Sequence, residues 1–246
     1  MRHDQDRGRL ATRGLSFVGA AVLLAVLAGC ATPAVQRQTP ELHREAGKSP
    51  RIIVMPLDVE LSQLTAGGMR EPQSEWTEAA LKHMRAALED EARLRKVQLI
   101  DFQADRGSAT DRETSLDLVK LHRAVGGAVF VHQYLPNFAL PSKDGKLDWS
   151  LGPSVAAIAR SHDADYALFI YVRDSYATAG RVAVIVVGAL LGAGAAGGSQ
   201  IGFASVVDLK TGDIVWFNRL VRRHGDLRTP EAAAETVRAL VADSLQ

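Results

Sequence analysis

Cysteine is nearly missing from this 246-residue chain: Cys30 is the only one. An internal disulfide is therefore excluded, and a lone thiol behind an export-like segment calls for another explanation. Metal-ligand spacing is missing too. Beyond the N-terminal segment the histidines are His43, His83, His122, His132, His162 and His224, and none joins a second ligand type in a pattern such as His-Glu-x-x-His. The densest titratable cluster, His162-Asp163-Ala164-Asp165, reads as a helix end followed by a solvated turn, where a cation is favourable without any site. There is no Gly-x-Ser-x-Gly elbow for a nucleophilic serine. The expectation is a protein that is not an enzyme, with no catalytic, cofactor-binding or metal-binding residues, although sites assembled in space leave no linear trace.

Excess charge of one sign is also lacking. Of 29 basic and 28 acidic residues, four and two lie before Gly14, which leaves 25 and 26 in the rest of the chain. A balance this even gives no electrostatic case for nucleic acid as a partner. No internal repeat is present.

What is there begins at the N-terminus. MRHDQDRGRLATR carries four arginines, and an uncharged run from Gly14 to Gly29 follows, with the apolar core LSFVGAAVLLAVLA. A basic end, a short apolar stretch and small residues make the layout of a secretory signal. The run is short beside the roughly 20 residues of a spanning helix. It ends in Leu27-Ala28-Gly29-Cys30, which resembles the lipobox of bacterial lipoproteins. The resemblance implies diacylglycerol on the Cys30 sulfur, cleavage before Cys30 and N-acylation (palmitate or a similar acyl chain) of the new terminus. Two or three acyl chains anchor a protein stably where one does so only marginally. The bland alternative is an ordinary cleaved signal with an incidental cysteine. Ala31 and Thr32 follow Cys30 where an aspartate would be a retention signal, and by the same resemblance this implies the outer membrane, facing the periplasm.

The expected organisation is a signal peptide at 1–29, a lipidated Cys30 with a polar, proline-bearing tether to residue 50, and one domain at 51–246. Arg51 to Leu57 reads as a buried first strand stopped by Pro56. Ser74 precedes a helix from Glu75 to about Arg95, with Trp76, Ala80, Met84, Ala87, Leu88 and Leu94 on one face. Val97–Phe102 alternates as a strand, and a helix around Ser115–Val131 is weakened by Gly126 and Gly127. Leu147-Asp148-Trp149 has no clear place. Ser154 caps a short helix, Val155–Ser161, and Asp165–Val172 is a strand. Ile201–Leu209 and Asp213–Arg219 flank Lys210-Thr211-Gly212 as a hairpin. A helix from Pro230 to about Ser244 is capped by Thr229 and turns Ala233, Val237, Leu240 and Val241 inward. Strands interleaved with helices predict an α/β (α+β) fold: a single mixed sheet covered by helices, with a C-terminal hairpin followed by a helix.

The strand ending Val54-Met55-Pro56-Leu57, the entry Ala164-Asp165-Tyr166 and the hairpin Val207-Asp208-Leu209-Lys210-Thr211-Gly212-Asp213-Ile214-Val215-Trp216 resemble periplasmic lipoproteins of the curli-secretion-channel and TolB-N-terminal-like α/β group. Residues 103–150 have no counterpart in that resemblance. It implies an envelope scaffold, a regulator of wall synthesis or a pore subunit, hence an interaction protein.

One segment stands apart. Val182 to Val207, VAVIVVGALLGAGAAGGSQIGFASVV, holds no charged residue. One reading is an apolar strand or helix with a Gly-rich turn, packed on the sheet or on a neighbouring subunit. The other is membrane insertion, as a helix or in an oligomeric pore, with Gly188 and Gly192 at the spacing that lets helices approach. A barrel hairpin would alternate polar and apolar faces, and this run does not. Its Gly192-x-Gly194-x-x-Gly197 pattern leads toward a strand at Ser199–Gly202 instead of the helix a dinucleotide site needs, and no lysine makes a phosphate loop. Arg219, Arg222, Arg223 and His224 form a basic patch suited to anionic lipid or wall polymer, or to guarding a sheet edge. The function expected is a lipid-anchored binding, scaffold or regulatory module of the cell envelope, with an envelope protein or cell-wall partner. A membrane-inserting oligomeric subunit using residues 182–207 is the alternative, and a homo-oligomer stays open.

Overall fold

Alternation of apolar side chains along the central strand sets the architecture. In the computed structural model, which describes residues 37–38, 50–194, 197–223 and 225–242, that strand is β6, Tyr166–Ala177. Leu168, Ile170 and Val172 point into one core and Ala167 and Phe169 into another, as the period of two requires. A sheet apolar on both faces needs a helical layer on each. The first layer is α1, Ser74–Arg95, with α5, Pro230–Leu240. The second is α2, Ala109–Tyr134, with the short α3, Ala156–His162.

The remaining strands are β1, Arg37–Gln38, β2, Ile52–Val54, β3, Asp58–Leu64, β4, Arg70–Pro72, β5, Leu99–Asp101, β7, Gly198–Asp208, and β8, Ile214–Arg222. Their order is β1-β8-β7-β6-β2-β5, with β3 beside β6 and β4 beside β3. β5, β2 and β6 are parallel, and β6, β7 and β8 are antiparallel, so the sheet is mixed. The C-terminal hairpin β7–β8 is followed by helix α5, as the sequence predicts. Its turn places Gly212 at φ 86, a conformation that costs a residue with a Cβ.

β2 ends at Val54, ahead of Pro56, but the chain then resumes along the same edge of β6 as β3. Val54 pairs with Leu168 and Asp58 with Tyr171, so the chain gains one residue on β6 between β2 and β3. Proline has no N–H to give the ladder and sits where the strand bulges. β3 then runs along β6 as far as Ala177. The sequence reading stopped at Leu57 and missed β3 and β4.

Other expectations shift at their ends. Ser74 is the first helical residue of α1, the cap position being Gln73. Leu94, assigned to the inward face, is 75% exposed. The face is completed by Glu91 and Ala92, the Glu91 carboxylate accepting from Arg238 Nε at 3.0 Å and Arg95 Nε at 3.4 Å. The strand expected at Val97–Phe102 is reduced to β5, and α2 extends past Ser115–Val131 at both ends. The 3-10 turn Pro153–Val155 leads into α3 without a Ser154 side-chain cap. Leu147 is buried, and the Trp149 carbonyl accepts the Ile214 amide at 2.8 Å, which places that segment against the start of β8. Thr229 caps α5, and Ala233, Val237, Leu240 and Val241 are all buried.

Candidate interaction surface

The charge-free segment divides into two fates. Its second part is β7, hydrogen-bonded on both sides and buried along most of its length. Its first part forms α4, Ala179–Leu190, which carries no buried residue. Thr178 starts this helix by accepting the Arg181 amide on its hydroxyl at 3.0 Å, and its own amide donates to the Leu64 carbonyl at 3.0 Å. Arg181 Nη1 reaches back to the Ala66 carbonyl at 3.4 Å, joining the helix base to the β3–β4 turn.

Arg181, Ile185 and Gly188 lie a turn apart on the half-covered side of α4. The opposite side presents Val182, Val184, Val186, Val187, Leu190 and Leu191, the last two 82% and 80% exposed. At 100° per residue those six positions sweep more than half of the helix circumference. Single exposed leucines are ordinary, whereas a contiguous apolar surface of this kind marks a contact. Met69, at the neighbouring β3–β4 turn, is also exposed. No helix among the described residues is long and apolar enough to cross a membrane.

Below α4 the ends of β6 and β7 are held by a buried polar network. Tyr176 Oη donates to Asp174 Oδ2 at 2.5 Å, and Gln200 Nε2 donates to the same oxygen at 2.9 Å. The Leu227 amide donates to Tyr176 Oη at 2.8 Å, and Thr236 Oγ1 donates to Gln200 Oε1 at 3.1 Å. The network thereby fastens α5 and the loop before it to the sheet. Arg228 lies over the Tyr176 ring at 4.1 Å and the Trp76 ring at 4.9 Å. Burial pushes the Asp174 carboxyl up from its ordinary range, against the pull of Tyr176 and Gln200. Burial also raises the Tyr176 phenol, with its bond to Asp174 second. Among the described residues Asp174 Oδ1 has no hydrogen-bond partner.

The residues singled out from sequence fare differently. Cys30, the proposed lipid site, and the tether residues 39–49 lie outside the described residues, as do His43 and His224. His162 is buried, not at a solvated helix end: it stacks on Phe102 at 4.9 Å, and its Nε2 lies 3.0 Å from the Gln103 amide. Desolvation lowers its pKa. Asp163 and Asp165 both pair with Arg51, which ties the start of β2 to the start of β6. The basic patch is split between the two faces of β8. Arg219 stacks on Tyr134 of α2 at 4.8 Å, while Arg222 pairs with Glu235 of α5 at 3.1 Å. The glycine pattern 192–197 follows a helix and leads into a strand, the reverse of the order a dinucleotide requires.

Sequence reasoning missed a serine–histidine contact. His122 Nε2 lies 2.5 Å from Ser205 Oγ. Both residues are buried, and the imidazole stacks on Phe169 at 4.8 Å. Desolvation lowers the His122 pKa to about 3. A neutral imidazole sealed between aromatic rings satisfies a core hydroxyl and offers no route to a substrate. Nearby, Asp58 accepts from Arg123 Nε at 2.7 Å and Arg173 Nη2 at 2.8 Å, clamping α2 to β3 and β6. The Arg123 pKa is raised, first by that hydrogen bond. Only the helix spacing of 115, 118 and 122 hinted that His122 faces inward.

No family model matches the chain. No curated protein matches it in sequence. Solved structures do. A PelC dodecamer from Paraburkholderia phytofirmans is 15% identical over 87% of this chain and 97% of that one, with a TM-score of 0.40. The lipoprotein GNA1162 from Neisseria meningitidis is 16% identical over 80% and 99%, with a TM-score of 0.31. The LpoB C-terminal domain from Salmonella enterica is 14% identical over 73% and 87%, with a TM-score of 0.26. All three of these proteins are bacterial, and GNA1162 is a lipoprotein. At these scores no residue role passes from them to this chain.

Proposed function

We propose that the protein is a lipid-anchored module of the bacterial cell envelope that binds another envelope component and performs no catalysis. The observation that carries this reading is the lone Cys30, placed directly after Leu27-Ala28-Gly29 at the end of a short apolar run with a basic start. The likeness of its hairpin and strand entries to the curli-channel and TolB-like group is consistent with a scaffold or regulatory role. So is a surface in which the well-exposed feature is apolar and the clustered titratable groups are used up in holding the fold. By the residues after Cys30, the anchor sits in the outer membrane and the domain faces the periplasm. The partner is an envelope protein or wall polymer.

The pore alternative, built on residues 182–207, would have to withdraw β7 from between β6 and β8, where most of its side chains are buried. The exposed part of that segment is α4 alone, 12 residues and so about 18 Å long against a hydrocarbon core of about 30 Å.

The test is metabolic labelling of the full chain with an alkyne fatty acid in a Gram-negative host, compared with Cys30→Ala. Label on the wild-type chain only, with the variant left at precursor length, supports the anchor. A wild-type chain cut upstream or downstream of Cys30 and free of label overturns it.

A further inference from the structure

The helix α4 is apolar over more of its surface than one partner helix would cover, and its position in the fold points to what covers it. A packed helix buries a stripe roughly 100° wide. The exposed apolar residues of α4, from Val182 round to Val184, sweep about twice that arc with no polar side chain between them. A second copy of the helix would leave much of this in water, whereas a bilayer would take all of it.

Chain direction supplies an independent argument. β7 enters at Gly198, beside α4, and that end of β7 lies next to Arg222 at the far end of β8. β1 is antiparallel to β8, with Arg37 opposite Phe217 and Gln38 opposite Trp216. The N-terminal end of β1 therefore points toward the α4 end of the sheet. Seven residues of chain lead from Cys30 to Arg37, a reach of at most about 25 Å. The five residue steps of β8 from Phe217 to Arg222 measure about 17 Å. The tether is thus long enough for the acyl chains to enter a membrane lying against that end. Charge is compatible: Arg70, Arg181, Arg222, Arg223 and Arg228 stand there with Glu71, Asp226 and Glu235, Arg222 pairing with Glu235 and Arg228 with Asp226, which puts arginines within reach of anionic headgroups.

We infer that α4 is a second membrane contact, buried in the headgroup and upper acyl region of the leaflet that holds the Cys30 lipid, and that the α4 end of the sheet rests on the bilayer. The inference rests on the proposed lipidation of Cys30. It differs from a spanning or pore role, since the helix enters one leaflet only.

The test uses the full chain, purified from membranes and reconstituted in phosphatidylethanolamine–phosphatidylglycerol vesicles, with an environment-sensitive thiol fluorophore on Val186→Cys. Leu94→Cys, on an exposed turn of α1, is the aqueous control. The expected result is blue-shifted emission at position 186, loss of quenching by aqueous iodide and strong quenching by lipids carrying a shallow spin label, with position 94 still open to iodide. Iodide access at 186 while the protein stays on the vesicles overturns the contact and leaves the anchor standing. Shielding at 186 that vanishes when protein is diluted in lipid identifies a second copy as the cover and also overturns it. Uptake of fluorophore by the unsubstituted chain reports a free Cys30, a failure of the anchor; the depth at 186 is then read from the difference between variant and wild type.

Discussion

His122 and Asp174 are buried titratable groups whose environments oppose their charged forms, and each leaves a trace in the pH dependence of stability. The folded His122 pKa is depressed from 6.5 to about 3, so below 6.5 the unfolded chain binds a proton that the folded chain refuses. Stability therefore falls as pH drops through that window, by up to about 1.4 kcal/mol per pH unit for one proton. Replacing His122 by phenylalanine should flatten the acid limb of stability against pH by one proton, measured from urea midpoints, even where the absolute stability is lower. Asp174 works in the opposite sense. Its folded pKa is raised, first by burial, so the folded chain holds its proton longer than the unfolded chain does. Stability drawn from the neutral carboxyl is present in acid and is lost as pH rises from the unfolded to the folded value. Asp174→Asn cannot ionise, and its denaturation midpoint relative to wild type should rise between acid and neutral pH; a constant difference would show that Asp174 does not titrate there.

At the scale of elements, close approach decides what a glycine is for. A Cβ on Gly126 would lie 2.2 Å from the Phe203 ring, so α2 sits on β7 only because that side chain is missing. A Cβ on Gly127 would meet nothing within 4 Å. Gly126→Ala should cost roughly 1–3 kcal/mol by overpacking, while Gly127→Ala should gain about 0.5–1 kcal/mol of helix propensity. Chemical denaturation of the two variants separates them by sign. The sequence reading took both glycines as weakening the same helix, because propensity carries no information about the neighbour across the layer. Similar limits explain the other differences. Leu94 falls at the right spacing yet lies in the last turn of α1, and Glu91 is buried because Arg95 and Arg238 satisfy it. β3 was hidden by Pro56, which reads locally as a stop and acts as a bulge. The hairpin at Lys210-Thr211-Gly212, the capped α5 and the strand at Tyr166 were legible, since turn chemistry, capping and β-branched runs are local signals. For the candidate surface, the absence of charge from Val182 onward was visible. That half of the stretch is exposed helix and half buried strand is decided by tertiary pairing.

For the whole molecule, both helical layers pack on opposite faces of one sheet, and neither has a sheet of its own. β6 and β7 are the common wall of the two cores: Tyr166, Leu168, Ile170, Val172, Ala204 and Val206 face one, and Ala167, Phe169, Phe203 and Val207 face the other. Loss of one layer exposes the other's support, so the domain should unfold in a single transition. Trp76 and Trp216 report on the α1–α5 face and Trp149 on the α2–α3 face. Tryptophan fluorescence and far-ultraviolet circular dichroism should give superimposable denaturation curves, and a resolved early phase in fluorescence would show that the layers melt separately.

The link from β6 to β7 is an appendage, and this has a consequence for how such a chain changes over time. α4 leaves the sheet at Thr178, returns at Gly198 and adds nothing to either core. An insertion of that kind can lengthen, shorten or be exchanged for a tight turn while the body keeps its register. The body and the projection can then drift under separate selection, one for folding and the other for whatever surface it meets.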